Sequence, residues 1–130
     1  MSGESVGPRS EGMTEGDEGS GTVLVAGICA LAVGCALVVS ASSALTAGRA
    51  RLDAVADLAA LAGADVSATA VWEDVGGRPC AAAREVAARN GVDLESCEVV
   101  GADTRVVLAD RVAVLGIPAP VRARARAGPP

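Results

Sequence analysis

The chain has 130 residues and a net charge of −5; all eleven cations are arginine, His, Phe and Tyr are absent, and Trp72 is the one tryptophan. That length holds one small domain plus accessory segments, and the acidic balance argues against a general nucleic-acid binder. With no His and no Lys, the usual proton-transfer side chains are mostly gone, and no nucleophile–base pair, metal-ligand cluster or phosphate loop is present. The expectation is a protein that is not an enzyme, with no cofactor, no metal and no small-molecule substrate.

Residues 1–18 read as a disordered acidic tail. Residues 19–48, GSGTVLVAGICALAVGCALVVSASSALTAG, carry no charge. As a helix, Thr22 to Ala47 is about 39 Å long, against a hydrocarbon layer of about 30 Å. Ser40, Ser42, Ser43 and Thr46 gather at one end, where they suit an interface and can bond back to helix carbonyls. The segment is predicted to be a transmembrane helix. Two rivals stand beside it. A soluble core helix seldom goes uncharged for about seven turns, since one face usually meets water. A secretory signal finds small residues, Ser42 and Ala44, for a cut after Ala44, but the apolar region is long and the leader acidic. Orientation draws two opposed signals. Arg49 and Arg51 outnumber Arg9 and favour keeping that end inside; the cysteines below favour export.

Within the span Ala32, Ala36, Ser40, Ala44 and Gly48 lie four apart, a smooth ridge that lets another helix come close. An alanine-rich chain also produces such a series by chance, and the two readings weigh evenly.

From Arg49 the helical spacing continues, with Leu52, Val55, Leu58, Ala59 and Ala62 recurring on it. Asp53 and Asp57 share another face and, without a third ligand, read as a solvated helix face. Gly76-Gly77-Arg78-Pro79 breaks the pattern. Pro79 suits the first position of a short second helix, and Asn90-Gly91 suits its end. The period then changes. VDLESCEVVG and DTRVVLAD read as short Val-rich strands joined by a turn at Gly101-Ala102-Asp103. VAVLGIPAP reads as a looser connection, and VRARARAG as a third strand whose Arg122, Arg124 and Arg126 share one face. The predicted class is α+β: a single-pass N-terminal transmembrane helix continuing into an exported helix, a short helix and a small antiparallel sheet of about three strands. Residues 49–130 form the extracytoplasmic domain.

Cys29 and Cys35 sit in the span, off each other's face, and read as small apolar fillers. Cys80 opens the short helix and Cys97 lies mid-strand. A bridge between them closes a loop worth about 3 kcal/mol in the chain-entropy model, useful to a domain with almost no aromatics, and it requires an oxidising compartment. Free buried thiols and a thiol-chemistry role are the alternatives; the spacing matches no zinc or redox motif.

Four stretches then fall in line: DEGSGTVLVAG entering the span, ADLAALAGA after it, CAAAREVAARNGVDLESCEV, and the terminal RARARAG. Over residues 17–129 the chain resembles the TadE-like proteins of actinobacteria, which occur beside tight-adherence pilus and secretion genes. The resemblance implies a pilin-like or pseudopilin component of a Tad/Flp pilus or related secretion assembly. Such a protein sits N-in, C-out in the cell membrane, and its partners are other membrane subunits contacted through the span. It also implies a prepilin-peptidase cut between Gly19 and Ser20. The sequence departs from the pilin pattern there: Leu24 stands where pilins usually carry Glu, and no basic leader precedes Gly19. The alternative function is a secreted or membrane-tethered small binding domain unrelated to pili.

Overall fold

The structure, a computed structural model, describes residues 9–130, with side-chain detail from residue 19 onward. Helix α1 spans Arg9–Ser67 and ends in a single 3-10 turn, Ala68–Val71; helix α2 spans Arg78–Arg89. Strands β1 (Asp93–Val100), β2 (Asp103–Val114) and β3 (Ile117–Ala127) form one antiparallel sheet in the order β1-β2-β3. The architecture is α+β, with one helix among the described residues long and apolar enough to cross a membrane. Of the tail expected over residues 1–18, residues 1–8 lie outside the described residues, and Arg9 onward is counted in α1.

The chain divides into two compact units, one up to Ser40 and one from Ala41 to Pro130. In the first, Val23, Leu24, Val25, Ile28, Leu31, Val33, Leu37, Val38 and Val39 are each 50–73% exposed. None of the most apolar stretch is buried. Ser40 and Thr46 hydroxyls donate to the carbonyls of Ala36 (2.8 Å) and Ser42 (2.9 Å), the back-bonding expected of hydroxyls in an apolar helix.

The second unit begins at Ala41, ahead of the charge boundary at Arg49, because Leu45 already packs against the core. The core is built from Leu52, Val55, Ala56, Ala59 and Ala60 of α1, Ala83 and Ala87 of α2, and Val92. From the sheet come Val106 and Leu108 of β2 and Val121 and Ala123 of β3. Strand alternation turns Thr104, Val106 and Leu108 inward and Arg105 outward, and does the same with Val121 and Ala123 against Arg122 and Arg124. Of the apolar helical positions expected to pack, Leu52, Val55 and Ala59 are buried, whereas Leu58 faces out, as does Leu61. The packed stripe is displaced toward Ala56 and Ala60. Alanine lets the helix lie close to the sheet, where a leucine would hold it off.

Helix α2 carries a proline in its first turn and ends at Asn90, with Gly91 at φ +69°, in the left-handed region that glycine takes most easily. The stretch from Val112 to Pro120, expected as a loose connection, is instead hairpin. Val112 pairs with Ala119 and Val114 with Ile117, leaving a two-residue loop of Leu115 (φ +51°) and Gly116 (φ +81°). Positive φ at both loop positions is the type I′ geometry that suits strand twist. Pro118 and Pro120 fit because β3 is an edge strand and both ring nitrogens face away from β2. In β1 the register shifts between Leu94 and Ser96, a bulge at Glu95.

Candidate functional site

Two surfaces carry chemistry: the uncovered apolar helix and the disulfide-closed head. In the head, Cys80 and Cys97 are bonded, with Cα atoms 5.8 Å apart. The local reasons are visible. Pro79, buried, fixes the first turn of α2 against the sheet, and Cys97 sits at a half-buried position of β1 opposite Val106. The bridge therefore ties α2 to the strand beside it. Cys29 and Cys35 are free and exposed on α1.

The expected helix-packing ridge divides. Ala32, Ala36 and Ser40 are exposed, and Ala44 is half-buried. Gly48 lies against the chain's own β2, where a Cβ would run into the Val112 side chain. Gly63 repeats the arrangement one stretch further on: a Cβ there would stand 2.5 Å from Thr104 Cγ2 and 3.1 Å from the Pro79 carbonyl. Nothing in the spacing of Gly63 had singled it out; its place in the apolar run LAALAGADV is the one available signal. Gly19 and Ser20 lie in α1 and are exposed.

Polar contacts lock helix to sheet. The Ser67 hydroxyl donates to the Ala102 carbonyl (2.9 Å) and lies 3.2 Å from Thr104 Oγ1; both residues are fully buried. The Ser67 hydroxyl also lies 3.2 Å from the Gly63 and Ala64 carbonyls, so its single proton has three carbonyl acceptors in reach, and either hydroxyl can donate in the Ser67–Thr104 bond. Arg51 donates to the Asn90 carbonyl at 2.8 Å and pairs with Asp110 at 3.4 Å. Across the open sheet face Glu95, re-aimed by its bulge, meets Arg122 at 2.8 Å, and Arg126 pairs with Asp103. These charges are mostly exposed and screened, so each pair contributes at most about 1 kcal/mol.

An open groove of about 360 Å³ on that face is bordered by Ser96, Glu98, Arg105, Val107, Arg124 and Arg126. It is shallow, and Glu98 already stands 4.0 Å from Arg105. Asp53 and Asp57 are exposed on α1. Among the described residues no three His, Cys, Asp or Glu side chains converge as a metal site would require. No protein-family model, curated protein or solved structure matches the chain.

Proposed function

We propose that the protein is a non-enzymatic, single-pass membrane subunit of TadE-like, pilin-like type. Its helix packs among the membrane proteins of a Tad/Flp pilus or secretion assembly, and its head stands on the extracytoplasmic side. The observation that carries the reading is the bare helix: nine large aliphatic side chains between Val23 and Val39, each at least half exposed. Moving one such side chain out of water is worth about 1.5–3 kcal/mol, so nine of them favour lipid far more strongly than any surface contact in the head opposes it. The Cys80–Cys97 bond supports an oxidising compartment for the head. In the folded head Arg51 donates to the Asn90 carbonyl and pairs with Asp110, so part of its guanidinium is engaged within the head itself. The small ridge that remains uncovered, Ala32 to Ser40, is the part of the helix suited to a neighbouring span.

The test is the mass of the intact protein recovered from carbonate-washed membranes. An N-terminus at Ser20 favours the processed pilin route, and one at Met1 or Ser2 favours a simple, unprocessed membrane anchor. An N-terminus near Leu45, or recovery in the soluble fraction, overturns the reading in favour of a secreted binding domain.

A further inference from the structure

Strand β2 runs antiparallel to the last part of α1, and four contacts fix the alignment. Ser67 bonds to Ala102 and Thr104, Gly63 abuts Thr104, Arg51 meets Asp110, and Gly48 abuts Val112. Sheet positions rise as helix positions fall, so β2 descends toward the uncharged end of the helix. Leu115 lies three residues beyond Val112, about 10 Å of strand. That equals roughly six to seven helical residues, which brings the hairpin loop to the level of Ala41 and Ser42. Among the α1 residues whose side chains are described, Ala41 is the first partly covered position, as this alignment requires.

The hairpin that reaches this level is apolar. From Val112 to Val121 there is no charge, and Leu115 and Ile117 are 62% and 69% exposed. Leu115 also holds a left-handed backbone, φ +51°, which asparagine or glycine adopts more easily. A bulky aliphatic side chain exposed at the loop tip is unfavourable in water. The flanking charges are Arg111 and Arg122. Neither Arg111 nor Arg49 has an ion-pair partner for its side chain among the described residues, and both are exposed near the level of Arg51. Guanidinium groups there are placed for lipid phosphates, with aliphatic residues below them.

We propose that the β2–β3 loop, Leu115 to Pro118, inserts into the interfacial layer of the bilayer and gives the head a second point of membrane contact. This rests on the membrane reading above. The head is then held at two points rather than by one helix, which restricts its tilt on the membrane.

Tryptophan fluorescence of the whole chain in phosphatidylcholine vesicles, with and without brominated acyl chains, tests this directly. Native Trp72 is 87% exposed and lies beyond Ser67, about 28 Å of helix further on than Gly48; its emission is expected to be unaffected by bromine. In a Trp72→Phe background, Leu115→Trp and Ile117→Trp are each expected to emit to the blue and to be quenched by brominated lipid. Leu37→Trp in the same background reports on the span itself. Quenching at position 37 with none at 115 or 117 overturns the loop insertion and leaves the membrane reading standing. No quenching at position 37 overturns the membrane reading, and the insertion with it.

Discussion

Gly48 of α1 and Val112 of β2 touch with no side chain between them: a Cβ at position 48 would fall within 3.0 Å of Val112 Cγ1 and 3.2 Å of its Cβ, and closer still to Cγ2. The glycine is needed because helix and sheet approach too closely there for a side chain. Gly48→Ala is therefore expected to destabilise the head by about 1–3 kcal/mol through overpacking. Adding Val112→Ala is expected to recover a good part of that loss. Thermal melts of the two variants in detergent measure it; a Gly48→Ala protein as stable as wild type would place the glycine at no contact.

Gly63 makes the contrasting case. Its neighbours are Thr104 Cγ2 and the Pro79 carbonyl oxygen, 3.1 Å from a would-be Cβ. A side chain can be shortened but a backbone carbonyl cannot. Gly63→Ala is expected to cost about as much as Gly48→Ala; Thr104→Ser, which removes the nearer contact, is expected to restore part of the loss and to leave the part set by the Pro79 carbonyl. Full recovery in the Gly63→Ala/Thr104→Ser protein would show that Pro79 does not constrain the site.

The buried Ser67–Thr104 pair sets up an asymmetry. Ser67→Ala leaves the Thr104 hydroxyl buried without its partner, at a cost of about 1–3 kcal/mol. Thr104→Val leaves Ser67 bonded to the Ala102 carbonyl, so it is expected to cost less. The double variant is expected to be more stable than Ser67→Ala alone, a non-additivity that a double-mutant cycle on denaturation midpoints reads out.

Removing the bridge by Cys80→Ala/Cys97→Ala is expected to lower head stability by about 3 kcal/mol, given the 17-residue separation. For a head of this size that is a drop in Tm of roughly 12–24 °C. Glu95→Ala, which breaks only the exposed pair with Arg122, is expected to move stability by less than about 1 kcal/mol. Equal effects of the two changes would contradict the assignment of the bridge as the main cross-link of a small aliphatic core.

Much of the fold could be read from the sequence because its signals are local. Thirty uncharged residues, a Gly-Gly-Arg-Pro break, an Asn-Gly stop and Val-rich alternation each name one element. What stayed hidden was relational. Helix positions 52–62 carry two apolar stripes, and spacing cannot say whether Leu58 or Ala56 meets the sheet. Proximity decides it: the alanines allow the closer approach. Val112 to Pro120 looked loose because Leu-Gly is an unusual hairpin loop and two prolines usually end a strand. Only an edge position, which depends on strand order, makes them acceptable. Gly48 was legible as a small residue on a ridge, but not as one whose neighbour is the chain's own β2. The Glu95 bulge shows in the sequence only as a break in alternation, Glu95-Ser96 between Leu94 and Cys97, which spacing alone does not distinguish from a strand end.

The central claim is that lipid solvates the bare helix while the head folds in an oxidising space. Thiol counting on protein from carbonate-washed membranes, alkylated under denaturing conditions without reductant, tests it most directly. Membrane recovery is expected, with labels on Cys29 and Cys35 alone, Cys80 and Cys97 being bonded to each other. Labels on all four cysteines, or recovery of the chain in the soluble fraction, would contradict it.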